Sequence, residues 1–216
     1  MKIAAISDLH DYLPEIEECD VLCICGDIIP LEIQRNYLKS EEWFTEIFLA
    51  WIKKLPCDKV FLVGGNHDFW LSSESESSIY RIIFSQEIYN LEYLYNNKYS
   101  YNGITLYGCP NIENLSGWAF YTANPSRTFN IIPDCDVLLT HAAPSLFLFG
   151  IDHNNNDYGS VTLTNVVASK NIKYHIFGHI HEGSHTWREY EGTKFCNVSI
   201  KDDNYEVKYP VTYFEI

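Results

Sequence analysis

Short apolar runs, each closed by a small polar cluster, set the pattern of this chain. Residues 2–7 (KIAAIS), 21–26 (VLCICG) and 59–64 (KVFLVG) are such runs, and they predict buried strands. Between the second and third, Trp43, Ile47, Trp51 and Leu55 recur at helical spacing, and Phe44, Phe48 and Ile52 widen the stripe. That pattern predicts an amphipathic helix over 41–55 with the Trp43-to-Leu55 stripe in the core. A second helix is predicted over 77–85. Strand, helix and strand in alternation predict an α/β sheet with parallel strands. No stretch reads as a linker, so residues 1–216 are expected to form a single domain.

The texture changes after residue 90. Residues 93–101 and 104–107 flank Asn102-Gly103, a strong hairpin signature. A loop is predicted over 109–127, with two prolines and a Trp-Ala-Phe-Tyr cluster. DVLLT (136–140) and YHIFG (174–178) are two more buried strands. Between them lie a polar, Asn-rich surface loop over 142–159 and a helix over 161–169. From 184 onward the chain alternates in β fashion, with Glu191-Gly192 as a turn.

Composition narrows the function. Apolar residues make up 46% of the chain, enough for a sizeable core, so disorder is excluded. The net charge of −14 repels polyanions and anionic lipid, so long nucleic acids and membrane surfaces are not expected partners. The N-terminal apolar run is broken at once by Ser7, Asp8 and His10, unlike a secretory signal. Seven cysteines occur without a CxxC pair, and Cys23 and Cys25 alternate like small hydrophobes on one strand face. They read as reduced core thiols of a cytoplasmic protein, with a thiol zinc site as the minor alternative.

The chemistry sits where the apolar strands end. The first strand is followed by Asp8 and His10, the second by Asp27, and the third by Asn66, His67 and Asp68. DVLLT ends at His141, and YHIFG leads to His179 and His181. Ligands bind at the carboxyl ends of strands in open α/β sheets, so these residues can converge on one cleft. Asp8, His10, Asp27, Asn66, His141, His179 and His181 offer oxygen and imidazole nitrogen but no thiolate. That set suits Mn²⁺, Fe or Zn²⁺. It is too large for one ion and fits two divalent ions sharing a carboxylate. Two dications outweigh two aspartates, giving the local positive charge that a bound phosphate needs.

Asp8-x-His10, Gly26-Asp27, Gly65-Asn66-His67-Asp68, a strand-end His141 and Gly178-His179-x-His181 occur in this order, and the set resembles the calcineurin-like metallophosphoesterase superfamily. Tyr107-Gly108-Cys109-Pro110, Trp118-Ala119-Phe120, Thr140-His141-Ala142-Ala143-Pro144 and Asn197-Val198-Ser199 are similar to its smaller branch of metallophosphoesterase-domain proteins related to class III cyclic-nucleotide phosphodiesterases. The resemblance implies two mixed β-sheets packed face to face with flanking helices. It implies that Asp8, His10 and His181 hold one ion, that Asn66, His141 and His179 hold the other, and that Asp27 bridges them together with a nucleophilic water or hydroxide. His67 would protonate the leaving oxygen as general acid, and Asp68 would orient its imidazole.

One departure bears on the substrate. Phosphatases of the superfamily follow the bridging aspartate with an arginine that reads a phosphate dianion. Here Ile28, Ile29 and Pro30 follow Asp27. The expected reaction is therefore Mn²⁺-dependent hydrolysis of a small phosphodiester such as a cyclic nucleotide, with Arg127 the candidate to substitute for the missing cation. A phosphomonoesterase or a nuclease is the alternative, and a non-catalytic binding module ranks last. His175 reads as a core residue and His153 as a solvated loop residue. Trp118, Phe120 and Tyr121 either stack a base or, as favoured, pack onto the sheet edge.

Overall fold

The computed structural model describes residues 1–216. Its eleven strands form two sheets. The first sheet contains β1 (Lys2–Ile6), β2 (Cys19–Ile24), β3 (Cys57–Leu62), β4 (Leu91–Tyr93) and β11 (Thr212–Glu215), in the order β11-β1-β2-β3-β4. Only the β1–β11 pair is antiparallel. The second contains β5 (Asn97–Tyr101), β6 (Ile104–Cys109), β7 (Cys135–Thr140), β8 (Ile172–Phe177), β9 (Arg188–Tyr190) and β10 (Thr193–Asn197), in the order β5-β6-β7-β8-β10-β9. Its inner pairs are parallel and both edge pairs are antiparallel.

Strand alternation explains the layering. Ile3, Ala5, Val21, Cys23 and Phe61 of the first sheet, with Cys25 just past β2, pack on Leu106, Val137, Leu139 and Ile176 of the second. The alternate residues Ala4, Ile6, Leu22, Ile24, Val60 and Leu62 face the opposite way, onto helices. Those helices are α1 (Tyr37–Trp43), α2 (Leu49–Ile52), α3 (Phe69–Ser73) and α4 (Glu76–Ser85). On the far side, α5 (Pro125–Phe129) and α6 (Val161–Ala168) cover Tyr107, Leu138 and Phe177. The result is helices, sheet, sheet and helices, as expected. All seven cysteines are free and buried. No helix is long and apolar enough to cross a membrane.

Three local readings change. The helix predicted over 41–55 starts earlier, capped by the Asn36 side chain, and carries a π-helical turn over Phe44–Phe48 between α1 and α2. The extra residue in that turn rotates the apolar stripe. Phe44, Phe48 and Ile52 are fully buried, whereas Ile47 is 50% exposed. The run 93–101 is not one strand. The Leu94 N–H still bonds to Leu62 in the first sheet, and the Asn96 N–H bonds to Gly108 in the second. The chain crosses between sheets there, with Asn96 at φ 53°. The loop expected over 109–127 already contains the start of α5. The Asn102-Gly103 turn forms as predicted, with both residues at positive φ.

His175 is a core residue with one consequence. Thr140 Oγ1 donates to the Ala142 carbonyl, so it accepts from His175 Nε2 at 2.9 Å, and His175 Nδ1 is left buried without a partner. Burial lowers this imidazole from 6.5 to about 3. Between those values the unfolded chain binds a proton that the folded chain does not. Stability is therefore complete above pH 6.5 and falls as the pH drops toward 3. From pH 6.5 to 4.5 this one group should cost about 2.5 kcal/mol. Urea unfolding of His175→Gln, which keeps a donor but cannot become charged, should lose that share of the acid sensitivity; an unchanged pH dependence would rule the assignment out.

Candidate metal centre

The carboxyl ends of β1, β2, β3, β7 and β8 lie side by side, and the loops leaving them are tied together. The N–H of Asp8 bonds to Gly26 at 3.0 Å, that of His10 to Asp27 at 2.9 Å, and that of Gly178 to His141 at 3.2 Å. Four of the residues that carry candidate ligands have left-handed backbones: Asp8 at φ 58°, His10 at 40°, Asp27 at 53° and His179 at 75°. Such conformations are uncommon for residues with a Cβ and cluster at functional sites. The crowding explains two glycines. A Cβ on Gly65 would strike the Asp27 carboxylate and the His141 ring, and one on Gly178 would strike Ser7 and Asp8.

All seven expected ligands come together. Asp27 is the centre of the arrangement: its Oδ2 lies 3.3 Å from His141 Nε2 and 3.8 Å from His10 Nε2. Asn66 Oδ1 is 2.8 Å from His141 Nε2, and the His141 and His179 rings are 5.0 Å apart. On the other side, Asp8 Oδ1 is 3.3 Å from His181 Nε2. Asp8, His10 and His181 form one group whose ligand atoms all lie within 4.8 Å of each other, and Asp8, Asp27 and His141 form another. The imidazoles are aimed by the backbone. His141 Nδ1 donates to the Cys25 carbonyl and His181 Nδ1 to that of Asp202, both at 2.8 Å, so each presents Nε2 to the centre.

The donor set fits divalent cations on two counts. His10 is buried with both ring nitrogens unpartnered, which is costly unless something binds them. Two buried carboxylates also demand positive charge nearby. Without metal, protons supply it. Burial lowers His141 and His181, but Asp27 and Asp8 outweigh burial and raise both to about 9. Burial dominates at His10, lowered to about 4, and at His179, lowered to about 3. Burial opposes ionisation of Asp8 and Asp27 too, yet their neighbouring histidines hold both well below the usual carboxylate range.

His67 lies beside this centre with Nε2 3.9 Å from Asp27 Oδ2. Asp68 does not orient it. The Asp68 carboxylate instead accepts four backbone N–H groups, from Asp27, Ile28, Ile29 and Gly65, at 2.8–3.0 Å. It fixes the loop that carries the central aspartate. Burial and the charge of Asp27 push its carboxyl up to about 7 against those four donors. The group on His67 Nδ1 is Gln34, whose Oε1 lies 2.6 Å away.

A cavity of about 360 Å³ opens above the centre. Its floor includes Asp27, Asn66, His67, His179 and His181, and Trp118 and Tyr205 stand at its sides. The aromatic loop therefore divides. Trp118 lies 4.8 Å from the His67 ring, Phe120 is buried under Gly64, and Tyr121 is exposed and does not line the cavity. Asp152, Glu182 and Asp203 line the cavity as well, and no lysine or arginine does. Arg127 is exposed and outside the lining. His153 is solvent-exposed as expected, but it also pairs with Glu182 at 2.7 Å.

Three further contributors lie outside the expected ligand set. Ser199 Oγ donates to Asp8 Oδ2 at 2.6 Å, and the buried Lys201 Nζ donates to the His10 carbonyl at 3.0 Å. Tyr205 stands edge-on to the His10 and His181 rings at 4.9 and 5.2 Å.

Residues 1–183 match the calcineurin-like phosphoesterase family. The chain belongs to that family. This calcineurin-like phosphoesterase is 26% identical to metallophosphoesterase domain-containing protein 1 of Homo sapiens, over 95% of its own length and 68% of the relative's. It is 30% identical to a UPF0046 protein of Caenorhabditis elegans, over 91% of its own length and 54% of that protein's. Two solved structures share its fold. One is phosphopantetheinyl hydrolase from Mycobacterium tuberculosis, with TM-score 0.58 at 13% identity, covering 94% of this chain and 90% of that one. The other is a dimetal phosphatase from Danio rerio, with TM-score 0.55 at 12% identity, covering 91% and 86%. The family uses a dinuclear metal centre, and candidate ligand clusters for one are present here. Membership points to metal-dependent hydrolysis of phosphoric esters.

Proposed function

We propose that the protein is a dimetal phosphodiesterase acting on a small organic phosphate such as a cyclic nucleotide. The observation that carries this reading is the gathering of the His10 and His141 imidazoles around Asp27, next to the Asp8, His10 and His181 group, beneath an open cavity. Asp8, His10 and His181 would hold one ion and Asn66, His141 and His179 the other, with Asp27 shared; Mn²⁺ is the ion we favour over Fe or Zn²⁺. When bound, the ions supply an activated water and hold the phosphoryl oxygens. His67 gives a proton from Nε2 to the leaving oxygen as its bond to phosphorus breaks. We assign this work to residues 1–216 as one domain, in the cytoplasm, where free buried thiols persist.

The cavity lining supports a diester over a monoester. A phosphate dianion gains from a bidentate arginine, and neither arginine nor lysine is within the lining. The missing charged hydrogen bonds are worth about 1.5–3 kcal/mol, roughly ten- to a hundredfold in rate. Metal-stripped protein supplied with Mn²⁺ should cleave bis(p-nitrophenyl) phosphate faster than p-nitrophenyl phosphate by about that factor, and should do neither without metal. A preference for the monoester would make it a phosphatase.

A further inference from the structure

The segment after β2 is tied to the proposed general acid. Gln34 sits in the turn between Pro30 and the N-cap Asn36. That turn is held by the Ile33 N–H on the Pro30 carbonyl and by the Asn36 N–H and Ser40 Oγ on the Ile33 carbonyl, at 2.7–3.2 Å. The Gln34 amide makes two bonds, and together they fix a proton. Its Nε2 donates to the Leu31 carbonyl at 3.0 Å, and a carbonyl can only accept. Gln34 Oε1 is therefore the atom that meets His67 Nδ1 at 2.6 Å, and it too can only accept. His67 Nδ1 must then carry a hydrogen. The other nitrogen, Nε2, is the one left facing Asp27, 3.9 Å from Oδ2.

The neighbouring residue supports the same ring. The Arg35 guanidinium lies over Phe69 at 4.2 Å and over Trp118 at 5.1 Å, and Trp118 packs on His67 at 4.8 Å. His10 stands edge-on to His67 at 4.9 Å.

We infer that Gln34 is a positioning residue that locks the His67 tautomer, so that Nε2 alone exchanges protons with the substrate. This rests on the phosphodiesterase reading above for its catalytic consequence, though the tautomer itself does not. In the reaction the electron pair of the breaking P–O bond goes to the leaving oxygen, which takes the Nε2 proton. Water supplies hydroxide to phosphorus, and its proton balances the one His67 gave. Throughout, Nδ1–H remains on Gln34. A neutral amide serves this better than a carboxylate would, because it orients the ring without holding the proton by charge.

Aryl methyl phosphates, from p-nitrophenyl to phenyl, test the lock. A general acid matters most when the leaving group is poor. Gln34→Leu should lose about tenfold on the p-nitrophenyl ester and about a hundredfold on the phenyl ester. His67→Ala should show the same steepening, and adding Gln34→Leu to it should cost nothing more. Gln34→Glu, which keeps the acceptor on Nδ1 and so the tautomer, should recover most of the phenyl-ester loss but stay short of wild type, because its charge holds the His67 proton more firmly. Equal losses on all esters, or a further loss in the double variant, would overturn the inference. Nitrogen-15 spectra of the metal-free protein give an independent readout: His67 should be the Nδ1–H tautomer in wild type and lose that preference in Gln34→Leu. An Nε2–H tautomer in wild type also overturns it. If wild type hydrolyses no ester, the phosphodiesterase reading fails and the spectra still decide the role of Gln34.

Discussion

Asp27→Ala should abolish Mn²⁺-dependent hydrolysis of bis(p-nitrophenyl) phosphate, lowering kcat/KM by about 10³-fold or more. The reason is position. Asp27 Oδ2 is the point that His10, His67 and His141 share, at 3.3–3.9 Å. Removing it takes away the anion between the two ligand groups and leaves His141 buried without the partner that raises it. Ion binding should fail at the same step, so metal content after dialysis against micromolar Mn²⁺ should fall along with activity. Asp27→Asn separates chemistry from folding. Its retained oxygen can still accept the His67 N–H that Oδ1 accepts at 2.7 Å, so the loop should hold while the charge is gone. His141→Ala should behave like Asp27→Ala. Full activity in any of these variants would sink the proposed ligand set.

What the sequence revealed of this centre, and what it hid, follows from how each residue works. Asp8, His10, Asp27, Asn66, His141, His179 and His181 stand within four residues of a strand's end, and parallel strands end at one edge, so their convergence follows from hydrophobic pattern and topology. The same logic fails for residues that act from turns. Gln34 and Tyr205 lie in segments with no period, and their places near His67 and His10 depend on how two loops fold back. The clue to Tyr205 was the turn chemistry of Asp202, whose Oδ1 accepts from Asn204 and Glu206 while Tyr205 takes φ 61°. Asp68 was misread because it adjoins His67 in the chain. Adjacent side chains need not share a target, and Asp68 turns beneath the loop to meet the backbone of the residues after β2. The helical stripe was misplaced for a related reason: spacing alone does not reveal a π turn, and one extra residue moved Ile47 into solvent.

Asp68→Ala should be the most destabilising single change at the centre, although its side chain belongs to no candidate ligand group. The residue is fully buried, and its two oxygens satisfy the N–H groups of Asp27, Ile28, Ile29 and Gly65. Those of Ile28 and Ile29 leave the end of β2 with no strand to pair with, and the side chains of both residues are completely buried. Each orphaned buried donor costs about 1–3 kcal/mol, and water admitted to the hole recovers part of that. A net loss of about 3–5 kcal/mol follows, which lowers Tm by roughly 10 °C or more in a chain of this size. Asp68→Asn should fall between the two, because its amide keeps one acceptor but turns an NH₂ toward N–H donors. Activity should drop further than stability predicts, since the freed loop carries Asp27 and leads to Gln34, which holds His67. Thermal unfolding and kcat/KM on the folded fraction measure the two effects separately. A Tm within about 2 °C of wild type for Asp68→Ala would mean that the sheet edge, and not this carboxylate, holds the loop in place.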